Sequence, residues 1–405
     1  MIVVTTPARI GIIGNPSDGF NGKTISLTIK NYQARVWLNP NSNSKAIQII
    51  PHSEYDPNNF TSFEHCVDLA ERDGYCLGGL RILQATITRF YKNMRKYGSA
   101  ADMQRLENSG GFTLIYDTNI PRQVGLAGSS AIITSAMKAL LKYYNITFLK
   151  PEFLAQWILE VETEELGICA GLQDRVVQAF RGLIYMDFNK EIIQKQKHGF
   201  YKRLPIEYLP EMFLVYSKIP RPSDSGKIHS NIKERFKNGE EEVIAAMKRF
   251  ATYTDLFEDT MVDKNQYHRD ENKRISQFQR LFKLNFDNRR NLYGDLVIGN
   301  NNLEMIEIAE KFGTFAKFSG SGGAIIGIKP DQVRFVKLVE EYNKKGYHCE
   351  VIIPDTDFLS PSEIYHWQKQ DSYSGRRDSS GNGSASEGAR RSSRSSSNGN
   401  TGVNV

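Results

Sequence analysis

The chain has 405 residues, of which 40% are hydrophobic, with four cysteines and a formal net charge of +6. This length can bury one large core or two ordinary ones, and two domains are the better expectation. No run of residues has the apolar length that crosses a bilayer, and the N-terminus lacks the basic and apolar regions of a secretory signal. The cysteine spacing fits neither a metal site nor a C-x-x-C pair, which favours reduced thiols in a cytoplasmic protein.

Apolar and polar residues alternate through the first forty positions, which predicts strands. Helical spacing follows between Gly78 and Tyr97. The residues Phe112–Tyr116 are predicted as a strand. A helix then occupies Glu152–Leu166, a further helix begins near Gln173, and Gly182–Asp187 is predicted as a strand.

The segment Pro205–Pro210 is the predicted boundary between two halves, because its prolines interrupt regular structure. We therefore expect an N-terminal domain over residues 1–205 and a C-terminal domain over 206–360. The second domain contains two long polar helices, predicted at Ile228–Lys248 and Asn272–Arg290.

Residues 361–405 are predicted as a low-complexity tail, because serine, glycine, asparagine and arginine dominate it and give no apolar pattern. Its arginine pairs could contact RNA, but a solvated tail without such a role is the interpretation we adopt, so no nucleic-acid partner is expected.

One stretch has the pattern of a phosphate-binding loop that runs into a helix. It reads Pro121-Arg-Gln-Val-Gly-Leu-Ala-Gly-Ser-Ser-Ala131, and a 3.6-residue apolar stripe follows it to Tyr144. Its glycines permit close approach of a ligand, its serines can cap the helix, and a helix N-terminus attracts anions. The alternative is a loop that only caps the helix. The residues predicted to bind nucleotide are Pro121, Gly125, Leu126, Ala127, Gly128, Ser129 and Ser130.

A second candidate phosphate motif is Gly22-Lys23-Thr24, which ends like a Walker A loop. The spacing requires glycine where Ser17 stands, and the alternating residues Thr24–Lys30 predict a strand where a P-loop must open a helix. We therefore reject this motif.

Three segments resemble the motifs of the GHMP kinases, in the order that family shows. They are Pro7–Asp18, the loop at 121–131, and the glycine-rich Lys317–Ala324. The resemblance covers about residues 5 to 355, and several stretches are similar in wording to plant-type glucuronokinases. Those stretches are Gly14–Asp18, Tyr116–Gly125, Ala170–Arg175, Ser223–Lys227 and Asn285–Arg290.

The resemblance implies MgATP-dependent phosphoryl transfer and assigns roles to single residues. Asp174 matches the catalytic aspartate, and Arg9 matches the arginine beside it that keeps it ionised. Ser130 matches the metal-binding serine, and Glu162 stands where galactokinases carry the metal's glutamate, although Glu164 and Glu165 are close alternatives.

For the sugar, the resemblance implies that Asp18 binds hydroxyl groups, while Asn15-Pro16 departs from the galactokinase motif. Arginine is the preferred partner of a carboxylate, and each candidate arginine could instead form a surface salt bridge. The arginines considered are Arg122 and Arg175 first, then Arg289 and Arg290. The third motif is expected to pack its turn near the transferred phosphate, or else to be only a tight turn. Its residues assigned to substrate are Gly320 and Gly322, while Lys317 and Ser319 stay unassigned.

The resemblance thus implies an α+β protein with the GHMP kinase fold, whose domains resemble ribosomal protein S5 domain 2 and ferredoxin. The implied reaction phosphorylates the anomeric hydroxyl of D-glucuronate with ATP and Mg²⁺, giving glucuronate 1-phosphate for UDP-glucuronate synthesis. The expected partners are a small sugar acid and ATP, and no association with a membrane is expected. The alternatives are a kinase for galacturonate, a galactose-like sugar or a mevalonate-like acid, and a sensor of the same fold without turnover. The sequence leaves the oligomeric state open.

Overall fold

The computed structural model describes residues 1–56, 61–63, 67, 78–218, 225–262 and 270–356, with the side chains of 225–230 excepted. Within residues 1–358 the chain forms one compact unit. The predicted tail at 361–405, the Ser223-Asp224 pair, and Cys66 and Cys76 lie outside the described residues.

The first sheet is built around one long strand. Strand β2 (Lys23–Asn41) pairs with β1 (Ile2–Ile13) along almost its whole length. Its first half also pairs with β5 (Leu183–Asp187) and its second half with β4 (Gly111–Thr118), all antiparallel. The sheet is completed by β3 (Ile47–Ile49) beside β4 and by β6 (Phe200–Arg203) beside β5. Because strand β2 begins at Lys23, where a P-loop would open a helix, the rejection of a P-loop is confirmed.

The second sheet has the order β10-β7-β9-β8 and is antiparallel throughout. Its strands are β7 (Met212–Ser217), β8 (Ala316–Phe318), β9 (Ala324–Ile328) and β10 (Tyr347–Val351). The first described strand beyond β6 is β7, so the gap between the two sheets coincides with the predicted boundary at Pro205–Pro210. The division into domains at 205 stays a prediction.

Helices cover both sheets. In chain order they are α1 (Gly79–Tyr97), α2 (Ala100–Asn108), α3 (Gly128–Tyr143), α4 (Pro151–Glu160), α5 (Gln173–Phe180), α6 (Lys190–Gln196), α7 (Ser225–Lys237), α8 (Glu241–Val262), α9 (Glu271–Tyr293), α10 (Asp295–Ile298), α11 (Asn300–Lys311) and α12 (Gln332–Lys344). Short 3₁₀ turns occupy Ser17–Phe20 and Ile206–Tyr208, and a π-helical turn at Val161–Glu165 extends α4. Among the residues described, no helix combines the length and apolarity needed to cross a bilayer.

The predicted helix at Ile228–Lys248 is wrong in one respect, because two helices occupy this region. The chain breaks between α7 and α8 at Asn238–Glu240, where Gly239 has a φ of +78°. A positive φ cannot continue a helix, and glycine adopts it without steric cost.

The main core joins the two sheets. It includes apolar residues of β1, β2, α1 and α3, together with Phe257 of α8, Phe282 of α9 and Leu214 of β7. The neighbouring residues Phe213 and Val215 of β7 point the other way, into a second core under α11 and α12. Because successive strand residues face opposite sides, the second sheet is buried on both faces.

Candidate active site

The loop before α3 has a backbone that side chains tolerate poorly. Gln123, Gly125 and Ala127 all have φ between +58° and +74°. A Cβ atom on Gly125 would lie 2.9 Å from the carbonyl oxygen of Gly322 and 3.4 Å from Cα of Gly320. The predicted phosphate loop and the third glycine-rich motif therefore meet backbone to backbone, as the resemblance implied.

The N-terminus of α3 is not capped by a side chain. Ala127 occupies the N-cap in the left-handed conformation and makes no side-chain hydrogen bond. The hydroxyl of Ser129 donates to Glu162 Oε1 at 2.7 Å, and that of Ser130 donates to Gln178 Oε1 at 2.6 Å. The prediction that these serines cap the helix is therefore wrong, and the positive end of α3 has no side-chain cap of its own.

Arg9 of β1 and Asp174 of α5 form a pair beside this loop. Arg9 Nε donates to Asp174 Oδ1 at 2.5 Å, and Arg9 Nη1 donates to the carbonyl of Gly125 at 2.7 Å. Burial by itself raises the pKa of the Asp174 carboxyl, but the charges of Arg9 and Arg175 outweigh it and hold that pKa below its ordinary value. Two arginines thus keep this carboxylate ionised, and Arg9 also fixes it relative to the phosphate loop.

Glu162 is the buried acid of the site. It is 1% exposed, and its Oε2 accepts hydrogen bonds from Nε and Nη2 of Arg175. Arg175 Nη1 also lies 3.4 Å from Asp174 Oδ2 and donates to the carbonyl of Gly171. Arg175 thus contacts two acids of the site, and its predicted role in binding a substrate carboxylate stays a prediction.

The π-helical turn separates the three candidate glutamates. Glu164 and Glu165 form ion pairs with Arg89 at 2.6 and 2.5 Å, and Glu165 also binds Lys92. Glu162 instead faces the start of α3. The hydroxyl neighbour of Glu162 is Ser129, while the predicted metal serine Ser130 faces Gln178. The metal role of Glu162 stays a prediction.

Asp18, at the 3₁₀ turn after β1, faces Asp174. Burial and the negative charge of Asp174 raise its pKa from 3.8 to about 6, although the backbone N–H of Gln173 opposes this. A Cβ atom on Gly171 would lie 2.3 Å from Asp18 Oδ2, so only glycine leaves room for this carboxyl. The structure thus brings the predicted residues Asp18, Asp174 and Arg9 together.

Two buried cations support the third glycine-rich motif. Arg289 donates to the carbonyls of Gly320 and Ser321 at 2.8 and 2.6 Å, and its Cζ lies 4.5 Å from the ring centre of Phe318. Lys317 is fully buried and donates to the carbonyl of Gly11 at 2.8 Å, which connects β8 with β1. Burial, with repulsion from Arg289 and Arg9, lowers the pKa of Lys317 well below its ordinary value.

The other predicted arginines lie outside this cluster. Arg122 is placed with its Cζ 5.5 Å from the ring centre of Tyr55, and Arg290 pairs with Asp295 at 2.6 Å on the surface. Gln178, which also donates to the carbonyls of Pro7 and Ala127, was not among the predicted site residues. Lys317 had no predicted role, although a lysine between the apolar residues of β8 is a sign of a buried charge.

The chain is similar to known small-molecule kinases. The sequence profile of the GHMP kinases N terminal domain matches residues 85–182. The chain is 42% identical over 359 residues to Glucuronokinase 1 of Arabidopsis thaliana, which covers 88% of this chain and 93% of that protein. Its fold matches Lactococcus lactis galactokinase complexed with galactose, with a TM-score of 0.62 at 16% identity over 87% of this chain and 93% of that one. It also matches Methanococcus jannaschii mevalonate kinase, with a TM-score of 0.59 at 18% identity over 88% and 98% of the two chains. The predicted GHMP kinase fold is confirmed.

Proposed function

Because this chain belongs to the glucuronokinases of the GHMP kinase family, we propose that it transfers the γ-phosphate of ATP to the anomeric hydroxyl of D-glucuronate. The product is glucuronate 1-phosphate, an activated sugar acid suited to UDP-glucuronate synthesis. The single observation that carries a catalytic role is the pairing of Arg9 with Asp174 next to the phosphate loop.

In this proposal Asp174 orients the acceptor hydroxyl and receives its proton as the new O–P bond forms. A carboxylate held ionised by Arg9 is available for that proton over the whole neutral pH range. Asp18, which faces Asp174, accepts hydrogen bonds from hydroxyl groups of the sugar. A sensor without turnover has no use for an arginine–aspartate pair beside its phosphate loop.

The nucleotide phosphates bind where the loop at Gly125 meets the N-terminus of α3, in which free N–H groups and the helix dipole favour an anion. The residues that fit Mg²⁺ are Glu162 and the serines 129 and 130, because a carboxylate and a hydroxyl beside phosphates are the oxygen ligands this ion prefers. Among the described residues no three acidic, histidine or cysteine side chains converge, so a metal here depends on phosphate and water for its other ligands. When bound, Mg²⁺ neutralises phosphate charge.

The test is turnover of an acceptor panel by the purified full chain with MgATP. The panel contains D-glucuronate, D-galacturonate, glucose, galactose and mevalonate, and the readouts are ADP release and acid-labile phosphate in the product. We expect glucuronate to give the highest kcat/KM. Asp174→Asn serves as the matched variant, for which kcat should fall by about 10²- to 10⁴-fold with ATP affinity little changed.

Each other outcome has a definite meaning. Preference for galacturonate or mevalonate would reject glucuronate while leaving a GHMP kinase. ATP binding without turnover of any acceptor would support the sensor, and near-normal kcat in Asp174→Asn would remove the assignment of the base.

A further inference from the structure

An acidic sugar needs a cation for its carboxylate, and the buried arginines near Asp18 are already engaged. Arg9 is paired with Asp174, Arg175 with Glu162, and Arg289 with the carbonyls of the third glycine-rich motif. Asp18 and Asp174 also place two acidic groups at the acceptor site. A sugar acid that binds there requires positive charge elsewhere along its length, because like charges repel.

Lys233 of α7 lies at the border of the Asp18 site. Its Cε is 3.8 Å from the position that a Cβ atom on Gly19 would occupy, and Gly19 directly follows Asp18. Its Nζ lies 3.2 Å from Sγ of Cys169, two residues before the glycine that faces the Asp18 carboxyl. The ammonium group therefore lies between the turn that carries Asp18 and the loop that leads to Asp174.

The partner of Lys233 is chemically weak. Over the described part of the chain, the thiol of Cys169 is the hydrogen-bond partner found for its ammonium, and no ion pair within 4.0 Å of it is found there. A thiol sulfur accepts hydrogen bonds poorly, whereas an ammonium group has three donors. The charge of this half-buried lysine is thus available to an anion that enters the site.

Packing fixes the helix that carries this lysine. Ile232 is 3% exposed and packs in one cluster with Phe20, while the rings of Phe236 and Phe20 meet edge to face at 5.1 Å. Phe20 ends the same 3₁₀ turn that carries Asp18. The position of Lys233 relative to Asp18 is therefore set by a hydrophobic contact, although its four-carbon stem stays adjustable.

We propose that Lys233 binds the C6 carboxylate of the acceptor and so selects a uronic acid over the neutral sugar. This inference rests on the proposed function. In a pyranose the C5 that carries the C6 carboxylate is joined to the anomeric carbon through the ring oxygen, so the carboxylate lies on the ring edge next to the anomeric centre. A substrate whose anomeric hydroxyl is at Asp174 then holds its carboxylate beside that centre, and Lys233, between the turn that carries Asp18 and the loop that leads to Asp174, is a cation placed to meet it.

The experiment compares D-glucuronate with glucose, which shares its ring configuration but has a neutral C6, in the full chain and in Lys233→Met. The wild-type chain should prefer glucuronate by about 10³-fold in kcat/KM. In Lys233→Met this preference should fall by about 10- to 100-fold, mainly through a higher KM for glucuronate, as is typical for loss of a hydrogen bond to a charged group. Lys233→Arg should restore most of the preference.

The matched control is Lys237→Met, which removes an exposed lysine one turn further along α7 and should leave the preference unchanged. Lys233→Gln is the second variant if Lys233→Met has a lower melting temperature than the wild-type chain. A wild-type preference for glucuronate that both Lys233 variants retain would overturn this inference and leave the proposed function standing. Wild-type turnover of neutral sugars alone would overturn both.

Discussion

At the scale of single residues, two aspartates in one site have opposite pKa shifts. Burial and the charge of Asp174 raise the pKa of Asp18 to about 6, whereas Arg9 and Arg175 hold that of Asp174 below its ordinary value in spite of burial. Such divergence between neighbouring carboxyls is how a site separates the tasks of its acids. This divergence supports Asp174 as the ionised partner of the acceptor hydroxyl. It also supports Asp18 as a group that binds sugar hydroxyls and whose ionised form lowers the stability of the folded protein.

We predict that Asp18→Asn makes the protein more stable at pH 8. A carboxyl whose folded pKa exceeds its unfolded value lowers stability as pH rises from about 4 through 6, and above that the full cost remains. Removing the charge should therefore raise the free energy of unfolding at pH 8 by about 3 kcal/mol, with little difference at pH 4. Urea unfolding at both pH values measures this, and equal stability of the two proteins at pH 8 would show that Asp18 carries no such cost.

The sequence predicted which residue types form the site better than it predicted their partners. Arg9 and Asp174 are 165 positions apart, yet the motifs in which they stand indicated their pairing. The contacts of Ser129 and Ser130 could not be predicted, because they depend on the left-handed backbone of Ala127, which sets the direction of both hydroxyls. The pairing of Arg175 with Glu162 depends on a π-helical turn, which no local residue pattern indicated.

At the scale of elements, the two glycine-rich segments define each other's shape. Gly125 approaches Gly320 and Gly322, and each of these contacts is between backbone atoms. Arg9 donates to the carbonyl of Gly125, and Arg289 donates to the carbonyl of Gly320. One buried guanidinium group therefore anchors each of the two segments. Backbone atoms can come this close only where no Cβ intervenes.

We predict that Gly125→Ala destabilises the protein much more than Gly128→Ala. At Gly125 the new Cβ combines a φ of +74° with a 2.9 Å approach to a backbone oxygen, a strain of about 1–3 kcal/mol. At Gly128 the nearest atom is a side-chain carbon of Ile120 at 3.4 Å, and alanine favours a helix by up to about 1 kcal/mol over glycine. Denaturant unfolding compares the two, and equal losses of stability would contradict this account of the loop.

At the scale of the whole molecule, the two sheets are joined by a segment that follows the last strand. After β10 the chain returns to the first sheet, where Pro354 pairs with Ile29 and the N–H of Asp355 donates to the carbonyl of Thr28. The predicted boundary at Pro205–Pro210 lies between β6 of the first sheet and β7 of the second. The prolines indicated it, because they interrupt regular structure. The return of residues 352–355 could not be predicted, since it pairs positions more than 300 residues apart and no local pattern specifies such a contact.

Asp355 is the residue on which this connection depends most. Its carboxylate is fully buried, accepts two hydrogen bonds of 2.8 Å from Arg181 and a third from the hydroxyl of Thr28. Asp355→Asn leaves the Arg181 charge without its partner, so we expect a loss of about 3 kcal/mol in the free energy of unfolding, which urea denaturation measures.

The control is a chain ended after residue 370, which keeps Asp355 and removes only residues without an apolar pattern. Its melting temperature and kcat/KM should equal those of the full chain. An unchanged Asp355→Asn protein would show that the connection contributes little, and a destabilised shortened chain would show that the tail itself stabilises the fold.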